Sequence, residues 1–480
     1  MKKYLLSFIM IICACAMVFA GCSSRGLKDN PAKDVQVLGN GGYAIQKGDY
    51  LYYVNGYVKD YATVLDDYKK DNVGGKVVYG GIYRTKLGNG NTLVKDEKGF
   101  LKNSERVVSK VVGYEQGGFY IVGDYIYYAT PYMREDSNGV IQNERISFNR
   151  IKIDGTKNKE MYVTEAGSSE IDWRVCVVGD KTHLVVVQSV ESSKNVTVVT
   201  DKGKSFDKKN IAEGVSDVVL SDDVNLASEY IFFTRGIEEG ENYTTSGNLV
   251  VKASILSGET EVYELDKTNT FKLIALDNGR LYLTKTASSK TMLYSYNANE
   301  NLFNQHNQNE IQLSTDAYTN YYTIDGVPHS IVAIDGKTLY KFSNVNGNVR
   351  TDLMVEEAVE NVIKVSDGYV YYYSENVVYR VNLENGEKQT VTNVGDQFTG
   401  KVFLIDNANM VDVDEKYVYV FAGYESKSGP TNYYLNRVNT LSAGMVAEFV
   451  GVFDDGHMVA EPTVDEDEKD TITDEVKPWV

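Results

Sequence analysis

The chain is short of the residues that metal binding and nucleophilic catalysis usually require. Its 480 residues include four cysteines and four histidines. His183, His306, His329 and His457 stand apart, with no His-x-x-x-His pair and no Cys/His cluster, so the common zinc spacings are excluded. No Gly-x-Ser-x-Gly elbow and no Walker-type glycine loop occurs, and the nucleophile-elbow and P-loop classes lose their markers. With only six prolines this is not a proline-rich linker protein. Helical periodicity is scarce. Basic residues are outnumbered, 49 Lys and Arg against 67 Asp and Glu, for a formal charge of −18. Such a surface repels phosphate backbones, so no nucleic-acid partner is expected. No cofactor motif is present, and none is expected to be needed.

Long apolar runs are missing except for one. Lys2 and Lys3 precede Leu5–Met17, which is short for a bilayer span and leads into Val18-Phe19-Ala20-Gly21-Cys22. This pattern resembles a bacterial lipoprotein signal peptide, with Phe19 where the lipobox commonly carries Leu. The resemblance implies removal of residues 1–21 and acylation of Cys22, with fatty chains of the palmitate type. The expected address is the extracytoplasmic face of the cell membrane, anchored by lipid rather than crossing the bilayer. Residues 22–42 then read as a lipidated polar tether. Cys13 and Cys15 leave with the signal peptide, and Cys176 remains alone within the apolar strand Trp173–Val178. It is expected to be a buried structural thiol, because no base accompanies it and a single cysteine forms no internal disulfide.

What the chain has in excess is tyrosine, 37 against 16 Phe, together with 41 glycines. A Tyr suits a strand whose ring is buried while its hydroxyl reaches water or a loop carbonyl. The stretch Val362–Val391 reads as four short strands, Val362–Val365, Tyr369–Ser374, Val377–Leu383 and Glu387–Val391. The turns between them carry Asp367-Gly368, Glu375-Asn376 and Asn385-Gly386, of the kind that tight hairpins require. A turn followed by an apolar-aromatic strand recurs with first aliphatic residues Leu51, Ile126, Leu184, Ile231, Leu281, Ile331, Val370 and Val418. The copy at Ile331 has a competitor in Tyr321-Tyr322-Thr323. The repeat is about 50 residues with four strands per unit, the signature of propeller blades. In Tyr369–Tyr373 both alternating faces are apolar, as blades packed on both sides demand. The expected fold is an all-β propeller of about seven to eight four-stranded blades over residues 43–456, with an acidic disordered tail over 457–480. A β-sandwich array and a β-solenoid fit the repeat less well. Lys95–Lys110 is expected to be a short helix or an added loop.

Other features read as structure before chemistry. Gly39-Asn40-Gly41-Gly42-Tyr43-Ala44 mimics a dinucleotide fingerprint, but a strand rather than a helix follows, which makes it a turn. Asp49, Asp124, Asp180 and Asp367 sit where the repeat needs turn formers. Asp465, Asp467 and Asp470 lack the spacing of a calcium loop. No catalytic residue stands out, although carboxylates from different blades could converge in a way that spacing does not reveal.

The unit, with Asp/Asn-Gly-x-Ile/Val-Tyr-Tyr strands and a later Tyr-Arg hairpin, resembles bacterial relatives of the low-density-lipoprotein-receptor-type propeller. It is sharpest over 48–87, 123–155 and 363–391. Tyr127-Tyr128-Ala129-Thr130 and Tyr372-Tyr373-Ser374-Glu375 stand where that family has Tyr-Trp-Thr-Asp. The resemblance implies an extracellular binding or scaffolding module for a protein, peptide or glycan. The alternative is an envelope glycan hydrolase or lyase using carboxylates of several blades. A two-lobed α/β transport lipoprotein is a third class, disfavoured by the scarcity of helix.

Overall fold

The computed structural model describes residues 26–452 apart from internal stretches, of which 59–79, 138–144, 221–228, 299–310, 393–402 and 425–431 are the longest. The chain forms eight four-stranded antiparallel blades arranged as a β-propeller. Each blade is contiguous in sequence, and its strands are here called a to d from the ring axis outward. The leader, Cys22 and the acidic tail lie outside the described residues.

Blade 7 shows how the repeat makes a blade. Its strands are Asn361–Ser366, Tyr369–Ser374, Val377–Asn382 and Lys388–Thr392, close to the sequence reading. Asp367 and Gly368 both take left-handed φ values, 51° and 78°, as a two-residue hairpin turn of matching twist requires. Val370 and Tyr372 pack toward blade 6 with Val332, Ile334 and Leu339. The alternate residues Tyr371 and Tyr373 pack toward blade 8 with Val411 and Val413. The tyrosine-rich strand is therefore buried on both faces.

All eight repeat markers fall on b strands: Tyr50–Val54, Tyr125–Pro131, Lys181–Val190, Tyr230–Arg235, Arg280–Ala287, Ser330–Asp335, Tyr369–Ser374 and Tyr417–Tyr424. Every marker side chain is buried. The ambiguity in blade 6 resolves, since Asn320–Thr323 is its a strand and Ile331 lies on b. Blade number settles at eight. Sandwich, solenoid and two-lobed α/β architectures are excluded. The stretch expected to be a helix or loop, Lys95–Lys110, instead contains the d strand of blade 1, Glu105–Val108, paired with Ile82–Lys86.

The ring closes between blades 8 and 1. Tyr57–Val58, which follows the b strand of blade 1, pairs with Asn432 and Tyr433 on the c strand of blade 8. The Asn55 side chain both accepts from Val452 N, at 3.0 Å, and donates to Val452 O, at 3.2 Å.

Several buried tyrosine hydroxyls find partners, as Tyr53 does at Ser104 and Tyr128 at Asn158, and Tyr372 is an exception. The Tyr372 ring stacks on Tyr379 at 5.4 Å, but its buried hydroxyl has no protein partner among the described residues. A buried hydroxyl without a partner costs about 1–3 kcal/mol. Tyr372→Phe should therefore leave the fold as stable or raise its stability by about 1 kcal/mol in a urea titration. A clear loss of stability would show that the hydroxyl is bonded.

Candidate binding surface

Repeated cations hold the blades in register. The c-strand residue Arg84 of blade 1 lies over Tyr50, Arg150 of blade 2 over Tyr125, and Lys252 of blade 4 over Tyr230. Arg380 of blade 7 and Arg437 of blade 8 lie likewise over Tyr369 and Tyr417. In blade 5 the pair is inverted: Arg280 stands on the b strand and donates to Ser295 on c, at 3.0 Å. Several of these cations, and Lys341 on the c strand of blade 6, Thr338–Val345, reach the next blade. Lys252 donates to Ala298 O, Lys341 to Leu383 O, and Arg380 to Thr440 O. The N–H of each accepting residue in turn bonds its own ab turn, at Gly279, Gly368 and Lys416. The link therefore passes from blade to blade through one residue. Arg150 forms the tightest version, donating to Gly203 O at 2.8 Å and pairing with the Asp201 carboxylate.

A second set of contacts lies at or beside the a strands of three junctions. Asn40 accepts from Ile121 N and donates to Ile121 O in blade 2. Asp217 of blade 4 accepts from Leu273 N of blade 5, and Asp412 of blade 8 from Tyr43 N of blade 1, both at 3.3 Å. Burial raises the pKa of Asp217 and of Asp412, against the lowering pull of Lys272 and Lys364 respectively. These are the two carboxyls held above the ordinary range among the described residues. They stand in blades on opposite sides of the ring, and each is occupied with a neighbouring amide. They do not form an acid–base pair.

A carboxyl with a raised folded-state pKa binds more protons when folded. Its contribution favours the fold at low pH and is lost as pH rises from the ordinary carboxyl range through the raised value. Asp217→Asn and Asp412→Asn keep an acceptor oxygen and remove the charge. Each should be at least as stable as the parent near neutral pH and should flatten the pH dependence of Tm above about pH 4. An unchanged pH profile with lower stability throughout would contradict this.

The two faces of the ring differ. On the face of the ab and cd turns, residues 26–38 form a strap running inward between blades 1 and 2. Leu27 N donates to Asp154 O of blade 2 at 2.8 Å. The buried Arg84 guanidinium donates to Lys28 O, at 2.5 Å, to Asn30 Oδ1, and to Glu105. The buried Lys47 ammonium, its pKa lowered by burial, donates to Lys33 O and Val35 O at 2.8 and 3.3 Å. Val37–Leu38 then pairs with Ala44–Lys47 as a fifth strand on the axis side of blade 1. The described part of the expected tether is thus docked, and at this junction the strap replaces the direct blade-to-blade link. The glycine run is the turn that leads from strap to blade: Gly41 N bonds Phe119 O, and Gly39 and Gly41 have φ of 74° and 89°.

The opposite face, made by the bc and da connections, is elaborated on one side. The bc connections are two residues long in blades 5, 6 and 7, at 288–289, 336–337 and 375–376. They span 425–431 in blade 8, 55–81 in blade 1, 132–145 in blade 2 and 236–248 in blade 4. Blade 3 lengthens its strands instead: Ser168–Val178, Lys181–Val190, Ser193–Asp201 and Phe206–Val215, with exposed ends on this face. Five consecutive blades thus carry every lengthened bc connection and the lengthened strands of that face.

Described residues on this arc are polar and aromatic. Arg134 and Arg145 flank the Tyr132 ring at 5.5 and 5.2 Å, and Arg145 Nε donates to Thr164 O at 2.7 Å. Buried Gln188 accepts from Glu165 N and Ser168 Oγ and donates to Tyr162 OH, fixing the seam between blades 2 and 3. Trp173 seals the same seam below, edge-on to Tyr120 and Phe148 at 5.0 and 5.3 Å.

Cys176 is buried, and burial pushes its thiol up to about 12, so it is a packing residue. His183 is enclosed between Thr200 Oγ1 and Val178 O, and burial lowers its pKa. His306, His329 and His457 lie outside the described residues. Among the described residues no cluster of His, Cys, Asp and Glu is arranged to hold a metal ion. Sequence reading missed Asn40, Asp217 and Asp412 as inter-blade stitches, and took the recurring Tyr-Arg pair as a hairpin marker when it also marks the clamps.

No protein-family model matches the chain, and no curated protein matches it. Among solved structures it is similar to apo AztD from Citrobacter koseri, at 11% identity over 78% of this chain and 92% of that one, TM-score 0.39. It is also similar to Porphyromonas gingivalis dipeptidyl peptidase 4, at 11% identity over 87% and 61%, TM-score 0.43. A Synechocystis apocarotenoid oxygenase variant matches at 9% identity over 56% and 59%, TM-score 0.32. The chain spans about three fifths of the peptidase and of the oxygenase it matches.

Proposed function

We propose that this is a membrane-anchored envelope lipoprotein whose propeller binds or scaffolds a protein, peptide or glycan on the bc/da face. The observation that carries the reading is the asymmetry of the ring. Every lengthened bc element belongs to one arc of that face, while the strap is spent on the other. Loops on a rigid scaffold are where binding residues concentrate, and the inter-blade clamps supply the rigidity. An arginine-flanked tyrosine suits the polar, ring-stacking contacts that peptides and sugars offer. The signal-peptide pattern ending at Cys22 supports the anchor and the extracytoplasmic address. The hydrolase or lyase reading gains no support from Asp217 and Asp412, which are engaged across blade junctions on opposite sides of the ring.

Two experiments test the proposal. Cys22→Ser should move the protein from the detergent phase to the soluble fraction, and unchanged partitioning would sink the anchor. Cross-linking pull-downs from cell envelopes with the soluble domain should retain a partner. Loss of that partner when Tyr132 and Arg145 are both replaced by alanine is the expected result. Retention at the parent level would move the binding site elsewhere.

A further inference from the structure

We infer that the ab/cd face is the bilayer-facing surface of the protein, seating exposed apolar turn residues among lipid headgroups while the bc/da face points away. The inference rests on the lipid anchor proposed above and on two observations that do not depend on each other. The first is the strap. It leaves the ring at Gly26, against the cd turn of blade 2, where Leu27 N bonds Asp154 O. Only four peptide units separate Gly26 from Cys22, a reach of at most ~14 Å. A blade of five to eight residues per strand stands about 16–26 Å tall. An acylated Cys22 can therefore hold the ab/cd face near the headgroups, and the opposite face lies about one blade height farther out.

The second observation is where exposed apolar side chains lie. Among the described residues eight large hydrophobics are exposed, and six of them stand on ab or cd connections or at their strand ends. These are Val94 in blade 1, Leu256 in blade 4, Val327 and Val345 in blade 6, and Leu441 and Val446 in blade 8. The other two, Val262 and Leu353, are on outer d strands. The ring thus presents aliphatic tips on the face from which the anchor departs. With a net charge of −18, attraction to anionic lipid does not drive the contact. Apolar insertion at the interface, added to the acyl chains, does.

The test uses the processed chain beginning at acylated Cys22, reconstituted in phosphatidylethanolamine–phosphatidylglycerol vesicles that carry a headgroup nitroxide lipid. A bimane fluorophore is attached at Val345→Cys or Leu441→Cys on the ab/cd face, and at Lys290→Cys or Glu356→Cys on the bc/da face. Cys176 is buried and does not compete for label. Quenching is expected to be several-fold stronger at positions 345 and 441 than at 290 and 356. Flotation with the vesicles but equal quenching at all four sites, or stronger quenching at 290 and 356, overturns the orientation and leaves the anchor standing. Absence of flotation overturns the anchor and the orientation with it.

Discussion

Replacing Arg150 by alanine is expected to destabilise the propeller by about 3–5 kcal/mol, the penalty for leaving one partner of a buried ion pair alone. The Arg150 and Asp201 side chains are 3% and 6% exposed, and they join blade 2 to blade 3. The guanidinium also lies over Tyr125 and Phe206, at 4.3 and 5.1 Å, and donates to Gly203 O. Truncation would leave the buried Asp201 carboxylate without its cation, held only by the Tyr127 hydroxyl and Gly203 N–H, and would empty a stacked slot and free a carbonyl, all at one junction. Domains are stable by only about 5–15 kcal/mol, so the loss is a large part of the whole. Arg150→Lys should recover little, because a compact ammonium does not reproduce the planar fork that stacks and bridges. Arg134→Ala is the control: its side chain is 68% exposed, and a change within about 0.5 kcal/mol is expected. Denaturant unfolding followed by the fluorescence of Trp173, which seals that junction, reads the effect. Equal midpoints for Arg150→Ala and the parent would show that the clamp carries no stability.

Removing the strap is expected to have the next largest effect. A soluble chain beginning at Asn40 deprives Lys47 of the Lys33 and Val35 carbonyls, and Arg84 of Lys28 O and Asn30 Oδ1. Hydrogen bonds to charged groups are worth about 1.5–3 kcal/mol each, so the summed loss should exceed about 3 kcal/mol even where water partly replaces the carbonyls. The damage should be local first. Hydrogen exchange should quicken in blades 1 and 2 before blades 5 and 6, because the strap is the link between the first two. A chain beginning at Leu27 keeps these contacts and should match the parent. Equal stability of the two truncations would mean that the strap merely rests on the ring.

The sequence carries the ring more openly than it carries its fastenings. Turn-plus-strand copies are local patterns, and the marker residues from Leu51 to Val418 find all eight b strands because hairpin chemistry is confined to neighbouring residues. Blade 1 is harder to read, since residues 55–81 separate its b and c strands and residues 87–104 separate its c strand from its d strand, Glu105–Val108. Inter-blade contacts are less legible still. Asp412 meets Tyr43 across the closure of the ring, and nothing in Val411-Asp412-Val413 announces a partner so distant in sequence. The strap looks like a tether because Lys28, Asp29, Asn30, Lys33 and Asp34 are polar. Its docking depends mainly on backbone groups, which every residue has and no composition reveals. The elaborated arc could be found by listing connection lengths, but only the ring order makes blades 8, 1, 2, 3 and 4 neighbours.

Photo-cross-linking on the acylated protein in intact cells distinguishes the two faces of the ring most directly. A photoreactive residue is placed at Tyr132 or Glu170 on the bc/da arc, and at Asp180 or Leu441 on the ab/cd face. A discrete partner adduct from positions 132 and 170, absent from 180 and 441, is the predicted result. A partner adduct from 180 or 441 with none from 132 and 170 would place binding on the face assigned to the membrane and contradict the account.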